Sequence, residues 1–381
     1  MDFAFTPDEL ALRDHVIAFC RKHLRREEVE RRDAAGEFGA EAWRLLAGQG
    51  VLGANIDEAF GGAGLGVRAG VLVMEALGYA CEDLGLAFSI AAHVYACALA
   101  IQKFGSAEQK QAYLPRLASG EWIAAHSITE PEAGSDVFAQ KTRAVLRGDD
   151  YVLDGGKCFT TNAPVAGLFL VQAVTAPGRG FFGLSAFLVE AGTKGLRVGR
   201  PHEKIGLRTS PTADIYFDEC VVPASARLGP ESAGAPIFTY SMAWERTCLF
   251  AIYVGAMARQ VEDTIAFAKQ RRQFGQPIGK FQAVSHRIVD MKVRLEAARL
   301  LLHRAAWKLS NGIEDPLDAA MAKLFVSEAA VQTGLDAIQL RGGMGVVTGP
   351  AERFLRDAIP SRVFSGTSEI QKNNIARALG L

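Results

Sequence analysis

A polar loop with the residue types of a ligand site follows a short apolar segment, residues 122–125. The loop reads HSITEPEAGSD over residues 126–136, and its last eight residues carry three carboxylates, two hydroxyls, a proline and a glycine. Pro131 fixes its own φ and Gly134 can take a positive φ, so this segment is not core. It is either an ordinary surface turn or a loop whose backbone N–H groups and hydroxyls hold a polar ligand at the end of a sheet.

A second candidate for chemistry is Glu245, which lies in an apolar helical stretch between Trp244 and the pair Leu249 and Phe250. Partial burial would raise the pKa of this carboxyl group and make it a better base near neutral pH. Arg246 points to another side of the helix, so it need not form an ion pair with Glu245. The ordinary alternative is a capped or salt-bridged carboxylate on a bundle helix, and these residues alone leave both open.

Charge and cysteine usage exclude several classes of partner. Lys plus Arg and Asp plus Glu both number 42 among 381 residues, so no global basic field exists to attract nucleic acid. The six cysteines form no CxxC pair and have no histidine at ligand spacing, which predicts free thiols and no metal site. Residues 1–5 lack a basic n-region, so we expect no signal peptide and a cytoplasmic protein.

One segment, residues 84–101, has no formal charge over 18 residues, the lower limit for a membrane span. It contains His93, Ser89 and several alanines. A helix buried inside a bundle explains this composition better, so no membrane association is expected.

The elements that position these residues fall into three regions. Thr6 begins a helix with Pro7 at its first position and Glu9 completing a capping box, and helical periodicity continues over most of the first 120 residues. Strand-like runs then occupy residues 168–174, 184–189 and 215–222, with hairpin signals at residues 148–150 and 154–156. Helical periodicity returns over residues 238–271, 281–310, 317–340 and 367–378.

The predicted fold class is therefore α+β and multidomain. We expect an N-terminal all-α domain over residues 1–121, a middle antiparallel β-barrel-like domain over residues 122–232 and a C-terminal four-helix bundle over residues 233–381. No Rossmann fingerprint or P-loop is present in the sequence.

Four further segments decide between the two interpretations of the polar loop. They are GGKCFTTNA (155–163), RRQFGQP (271–277), QLRGG (339–343) and SGTSEI (365–370). Together with TEPEAGSD, and in this order and spacing, they resemble the motifs of the flavin-dependent acyl-CoA dehydrogenase family over essentially the whole chain. The resemblance implies the three-domain fold of that family, FAD as cofactor and an acyl thioester on phosphopantetheine as substrate.

The chemistry so implied is α,β-dehydrogenation of the thioester. It needs a base for the α-proton, a hydride acceptor and hydrogen bonds to the thioester carbonyl. Because protein side chains cannot accept hydride, a flavin must do so. In most of the family the base is a glutamate directly before the Gly-Thr of the C-terminal motif, where this chain has Ser365. A minority places the base on the helix of Glu245, so the resemblance implies Glu245 as base, the backbone N–H of Ser365 as donor to the thioester carbonyl, and Arg246 on the substrate side.

The same resemblance implies the flavin contacts. Ile128 and Thr129 are expected against the isoalloxazine and ribityl chain, Gly134 and Ser135 near the pyrophosphate, and Phe159 and Thr161 over the face opposite the substrate. The remaining expected contacts reach the adenine-diphosphate end of FAD held mainly by a neighbouring subunit: Arg271, Phe274, Gln282, Gln339, Gly343, Thr367 and Glu369. A shared site of this kind implies at least a dimer, commonly a homotetramer built as a dimer of dimers.

Within the family, Ser-Gly-Thr in the tail and Trp-Glu in the helix look most like enzymes that oxidise a proline tethered to a carrier protein in secondary metabolism. The segment KIGLRTS (204–210) is closer to the general acyl-CoA pattern, so a short or branched acyl-CoA is the alternative substrate. A flavin-binding homologue that is an oxidase, or that is not catalytic, is the alternative outside dehydrogenases. The electron acceptor is then either another flavoprotein or oxygen.

Overall fold

The computed structural model describes residues 4–313 and 316–381 and begins with a set of helices. Thr6 caps the first helix by accepting from the backbone N–H of Glu9, whose carboxylate binds the Thr6 N–H in return. Ser106 and Gln109 form the same reciprocal cap on a later helix. The N-terminal helices are α1 (Pro7–His23), α2 (Arg26–Ala35), α3 (Ala40–Ala47), α4 (Val67–Ala80), α5 (Leu84–Ala91), α6 (Leu99–Phe104) and α7 (Ala107–Ala118).

The apolar segment at residues 84–101, which the sequence predicts to be a buried helix, is helical and buried in the structure. A π-helical stretch, Ala92–Ala98, joins α5 to α6, so that Leu84–Phe104 forms one continuous helical run. Of its most apolar 18-residue window, 94% is buried inside the protein. Burial by its own neighbours accounts for the apolar composition, as the sequence predicts.

The middle of the chain forms an eight-stranded mixed sheet. Its strands are β1 (Ala124–Ser127), β2 (Arg143–Arg147), β3 (Asp150–Thr161), β4 (Leu168–Val174), β5 (Leu184–Glu190), β6 (Leu196–Pro201), β7 (Thr212–Pro223) and β8 (Arg227–Leu228). The strand order is β6-β7-β3-β2-β4-β5-β8, with β1 parallel to β4. The pairing of β2 with β4 is also parallel, and the other pairings in this sheet are antiparallel.

One of the two hairpin signals is wrong. Residues 148–150 do turn between β2 and β3, but Asp154, Gly155 and Gly156 lie inside β3. The pairing with β7 shifts register between Leu153 and Gly155, which marks a β-bulge. Gly155 has φ 137°, and a Cβ there would lie 2.7 Å from the Thr142 Oγ1, so the glycine serves the bulge and not a turn.

The C-terminal part is helical again. Its elements are α8 (Gly234–Trp244), α9 (Ala251–Gln270), the short antiparallel strands β9 (Arg272–Gln273) and β10 (Gln276–Pro277), α10 (Gln282–Ser310), α11 (Pro316–Arg341), α12 (Pro350–Ala358) and α13 (Ser368–Ala378). A π-helical turn, Glu245–Leu249, follows α8 directly. These bounds confirm the predicted helical bundle.

The largest hydrophobic core joins the two helical parts of the chain. Helices α4 and α9 approach so closely that a Cβ on Gly78 would lie 1.9 Å from the carbonyl oxygen of Ile252, and one on Gly255 would lie 1.9 Å from that of Glu75. Only glycine fits at either position. Separate clusters lie where α6 and α7 meet the sheet and inside the sheet itself. The predicted α+β fold class is confirmed, while the domain boundaries at 121/122 and 232/233 stay a prediction.

Candidate active site

Glu245 is a buried carboxylate at the point where α8 passes into the π-helical turn Glu245–Leu249. Its residue is 9% exposed, and one carboxylate oxygen accepts a hydrogen bond from the Ser365 hydroxyl. Burial raises the pKa of Glu245, whereas the Ser365 hydrogen bond and the positive charges of Arg246 and Lys323 act in the opposite direction. The result is a carboxyl group with a raised pKa, the property that a general base needs near neutral pH.

The turn that carries Ser365 is fixed by two side chains. Ser365 has φ 55° and Gly366 has φ 88°, both in the left-handed region. The Ser365 carbonyl accepts from Arg246 Nε and from Gln371 Nε2, each at 3.0 Å, and Gln371 Nε2 also reaches the Gly366 carbonyl at 3.0 Å. These bonds hold the tail against the helix that bears Glu245.

Arg246 therefore binds the tail and does not neutralise its neighbour. Among the described residues it forms no ion pair with a carboxylate, and its Nε donates to the Ser365 carbonyl. Burial lowers the pKa of its guanidinium, and the charge of Glu245 opposes that effect. The arginine adds positive charge near Glu245, while the hydrogen bond to the carboxylate comes from the Ser365 hydroxyl.

Lys323 on α11 is a charged group near this site that sequence reasoning missed. Its side chain is fully buried, its Nζ lies 5.6 Å from the centroid of the Phe250 ring, and among the described residues it has no hydrogen-bond partner. Burial, helped by the charge of Arg246, lowers the pKa of Lys323 to about 8. A lone lysine in an otherwise apolar helical stretch, AMAKLFV (320–326), was the only signal available.

The polar loop after β1 is held by a buried ion pair. Glu130 accepts the backbone N–H groups of Lys141 at 2.6 Å and of Thr142 at 3.0 Å, and Lys157 Nζ lies 2.7 Å from the same carboxylate. Lys157 also donates to the Ile128 carbonyl at 3.2 Å. Burial lowers the pKa of Lys157 to about 8, against the charge of Glu130. For Glu130, burial raises the pKa, but Lys157 and the donated hydrogen bonds bring it below its ordinary value.

Because both ends of the loop are fixed in this way, its middle is presented outward. Gly134 and Ser135 are exposed, and a Cβ on Gly134 would meet nothing within 4 Å. Ile128 and Thr129 are half-buried at the base of the loop, where the Thr129 carbonyl accepts from the Cys158 N–H at 2.7 Å. This open backbone suits the close approach of a phosphate-bearing ligand.

An exposed aromatic ring stands beside the loop. Phe159 is 66% exposed at φ 53°, and its N–H donates to Asp214 Oδ1 at 3.1 Å. Asp214 also binds His202 Nε2 at 2.9 Å, and the His202 ring lies 5.2 Å from that of Phe159. Thr161 is half-buried two residues farther along β3. A large ring held outward at a positive φ fits the face of a planar cofactor.

Buried polar atoms without protein partners accompany this arrangement. His126 Nε2, Ser127 Oγ and Thr160 Oγ1 have none among the described residues. Burial and the charge of Lys157 lower the pKa of His126 to about 3, so this imidazole is neutral. Together with the open loop and Phe159, these atoms fit a large planar group that carries phosphates.

The remaining expected cofactor contacts lie on the surface of the single chain. Phe274 is 93% exposed at φ 50° between β9 and β10, and Arg271 and Gln282 at the two sides of this hairpin are also exposed. Gln339 and Gly343 lie at the end of α11, where Gly343 is exposed. Two others lie at the start of α13: Thr367 caps it by accepting from the Ile370 N–H at 3.3 Å, and Glu369 is exposed. The structure thus brings Glu245, Arg246 and Ser365 together and leaves this second group facing outward.

Comparison with known proteins is consistent with this geometry. The N-terminal, middle and C-terminal domain models of acyl-CoA dehydrogenase match residues 6–121, 125–220 and 232–380. An L-prolyl-[peptidyl-carrier protein] dehydrogenase of Pseudomonas fluorescens is 48% identical over 346 residues, which cover 90% of this chain and 91% of that protein.

Two solved structures are similarly close. The prolyl acyl carrier protein oxidase AnaB superimposes with a TM-score of 0.97 at 42% identity, covering 99% of this chain and 100% of AnaB. PigA with FAD and proline gives a TM-score of 0.97 at 44% identity, with each chain fully covered. The matched domains and the identity over nearly the whole length leave one conclusion: this chain belongs to the acyl-CoA dehydrogenase family.

Proposed function

We propose that this protein is an FAD-dependent dehydrogenase that oxidises a prolyl group held as a thioester on a carrier protein, with Glu245 as the base for the α-proton. One observation carries the mechanism: the buried carboxylate of Glu245 lies against the Ser365 hydroxyl of the tail motif. The substrate follows from the named activity of the Pseudomonas relative and from the proline in the PigA structure. FAD as cofactor follows from that structure and from the family.

The loop and strand residues described above would hold the cofactor. Ile128, Thr129, Gly134 and Ser135 would contact it along the polar loop, while Phe159 and Thr161 would cover one face. When bound, FAD accepts the hydride that leaves the β-carbon. The Glu130–Lys157 pair contributes by keeping the loop in the shape that presents these contacts.

Glu245 acts first as an unprotonated carboxylate. Its raised pKa makes it a stronger base than an exposed glutamate, and the Ser365 hydroxyl supplies a hydrogen bond that keeps enough of it ionised near neutral pH. As the proton moves to Glu245, negative charge develops on the thioester oxygen. The backbone N–H of Ser365 makes no hydrogen bond within the described part of the chain, so it is available to that oxygen.

Assembly would complete the cofactor site. Phe274, almost fully exposed, would reach the adenine-diphosphate end of FAD in a neighbouring subunit, together with Arg271, Gln282, Gln339, Gly343, Thr367 and Glu369. An exposed phenylalanine ring is more stable when it is buried against another protein surface than when it is in water. We therefore infer a homotetramer built as a dimer of dimers. Six cysteines without disulfides are consistent with a reducing compartment, the cytoplasm.

The electron acceptor has two candidates. One solved structure that is 36% identical to this chain is named an electron-transferring flavoprotein of Acidaminococcus fermentans, whereas AnaB is named an oxidase. Oxygen consumption without an added acceptor would assign the protein to the oxidases. Reoxidation only by a flavoprotein or a dye would assign it to the dehydrogenases.

The test uses the FAD-loaded protein and prolyl-loaded carrier protein under anaerobic conditions. We expect loss of the flavin's visible absorption band and a product lighter by two hydrogens, detected by mass spectrometry. Bleaching by short or branched acyl-CoA alone would instead favour the acyl-CoA alternative. A protein that keeps FAD and oxidises no thioester would be a non-catalytic homologue.

A further inference from the structure

An aromatic cluster at the surface is not used by the mechanism above. It consists of Phe138, Phe181, Phe182 and Phe238, which we call the aromatic rim. The Phe138 ring lies 5.0 Å from that of Phe181 and 6.0 Å from that of Phe238, and Phe181 lies 5.1 Å from Phe182. Phe182 is 64% exposed and Phe181 38% exposed. Exposed aromatic groups of this kind mark sites of protein association.

The rim joins three parts of the chain that approach the active site. Phe138 follows the polar loop, Phe181 and Phe182 lie in the 3₁₀ turn Gly180–Gly183 between β4 and β5, and Phe238 lies on α8. Phe238 is seven residues before Glu245, about two helical turns and roughly 10 Å along the same side of the helix. One residue of this surface cluster therefore lies on the same side of the helix as the base.

A surface pocket of about 240 Å³ is formed in part by the β4–β5 connection, which also carries two residues of the rim. Thr175 and Pro177, from the same β4–β5 connection as Phe181, form one side of it, and Arg143 and Val145 of β2 form another. Its further lining residues are Ala144, Leu146, Tyr151, Val174 and Glu231. Val145 and Leu146 are 49% and 55% exposed, so the apolar surface continues outward from the pocket.

Two arginines lie on this surface, and the one carboxylate that lines the pocket, Glu231, has Arg227 as an ion-pair partner at 3.9 Å. Arg143 lines the pocket and Arg179 lies two residues before Phe181. Both are exposed, and neither forms an ion pair in residues 4–313 or 316–381. A guanidinium can donate two parallel hydrogen bonds to the oxygens of a phosphodiester, as it can to a carboxylate.

We propose that the aromatic rim, the adjoining pocket and the two arginines form the docking surface for the carrier protein that delivers the thioester. This proposal rests on the proposed function. The arm that carries the thioester is attached to the carrier through a phosphodiester. The enzyme surface that binds the carrier must therefore bind an anion and an apolar protein surface side by side. That combination occurs here, on a surface whose Phe238 lies on α8, about two helical turns before Glu245.

The test compares one acyl group on two supports: prolyl-loaded holo carrier protein, and prolyl-S-pantetheine, which lacks both the protein and the phosphate. Phe182→Ala and Arg179→Glu are each expected to lower kcat/KM for the carrier substrate at least tenfold and to leave that for prolyl-S-pantetheine within about twofold. Added salt should lower the wild-type rate with the carrier substrate and not with the small one. Tyr216→Ala is the control, because this ring is 39% exposed on β7 of the same sheet and stacks on Arg197.

The outcomes separate the two proposals. Equal losses with both substrates, or no loss with either, would overturn the docking surface while leaving prolyl oxidation in place. A change in oligomeric mass of Phe182→Ala, measured by light scattering, would reassign the rim to contacts between copies of this chain. If the wild-type protein oxidises neither prolyl thioester, the proposed function itself is wrong.

Discussion

The Ser365 hydroxyl donates a hydrogen bond to the carboxylate of Glu245, although 120 residues separate them in the sequence. At the position before the Gly-Thr of the C-terminal motif, where most of the family has a glutamate, this chain has Ser365, which donates to the glutamate of another helix. The serine thus does more than offer its backbone N–H, because its side chain stabilises the ionised form of the base. A carboxylate at both positions would instead put two like charges side by side.

Removing that hydroxyl should raise the pKa of Glu245 further. The hydrogen bond favours the charged form, so Ser365→Ala shifts the rising limb of the pH–rate profile to higher pH. At the acidic end of the profile we expect kcat/KM to fall about tenfold, the equivalent of ~1.4 kcal/mol, with near recovery at alkaline pH.

Ser365→Gly is the matched control for backbone strain. Ser365 has φ 55°, which glycine adopts without cost and alanine does not. If the hydroxyl is responsible, both variants show the same shift of the pH profile. If Ser365→Ala shifts the pH profile and Ser365→Gly does not, the effect comes from backbone strain and not from loss of the hydroxyl.

Glu245→Gln should slow substrate oxidation greatly while leaving FAD bound. The amide keeps the size of the side chain but cannot take a proton, and loss of a general base typically costs about 10² to 10⁴ in rate. The measurement is the rate of flavin bleaching in a single anaerobic turnover, with the FAD absorption spectrum as the check on folding. Turnover at the wild-type rate would remove Glu245 from the role of base.

Lys323 gives the stability of the fold a distinct dependence on pH. Its pKa is about 8 in the folded protein against 10.5 for the free side chain. Between these values the unfolded chain binds more protons, so the free energy of unfolding rises with pH from 8 to about 10.5. Lys323→Met should remove this rise and increase the free energy of unfolding at pH 7, by at most about 3 kcal/mol.

The exposed Lys372 provides the control for that experiment, since Lys372→Met removes one lysine charge from the surface and leaves the buried charge of Lys323 in place. Thermal unfolding of both variants at pH 7 and at about pH 9.5, between the folded and unfolded pKa values of Lys323, separates the two effects. A loss of stability in Lys323→Met at pH 7 would show that the buried ammonium group is compensated in the native state.

Local signals predicted most of the helices and three of the strands, because each depends on residues that are adjacent in the sequence. Thr6 and Ser106 cap helices through residues three positions away, and a reader of the sequence can see both ends of such a bond. The same reasoning failed at Asp154-Gly155-Gly156. There the pairing of β3 with β7, a strand distant in the sequence, outweighs a local turn signal and turns it into a bulge.

In the active site, too, the residues could be predicted from local signals but their contacts with distant residues could not. Glu245 could be chosen from its apolar helix and from family resemblance, but nothing local links it to Ser365 or predicts the left-handed φ of that residue. Lys157 lies in a motif that was recognised, yet its partner Glu130 is 27 residues away and its burial is a property of the folded sheet. The roles of the cofactor contacts stay predictions.

The Glu130–Lys157 pair provides a test of how the cofactor loop is held. Lys157→Met leaves a buried carboxylate without its cation, so we expect a loss of about 3 to 5 kcal/mol in the free energy of unfolding and weaker FAD binding. Adding Glu130→Gln should restore part of the stability, because the amide is neutral. Urea unfolding of the two single variants and the double variant measures the coupling.

The close approach of α4 and α9 gives a prediction for the core. Gly78→Ala places a Cβ 1.9 Å from the carbonyl oxygen of Ile252, a backbone atom that cannot rotate away, so the two helices must separate. Overpacking of this kind costs about 1 to 3 kcal/mol or more, and Tm should fall accordingly. Gly48→Ala is the control: its φ is −62° and its Cβ would lie 3.5 Å from the nearest atoms, so we expect Tm to stay the same or to rise slightly. Equal Tm values for wild type and Gly78→Ala would mean that α4 and α9 are not held at this separation.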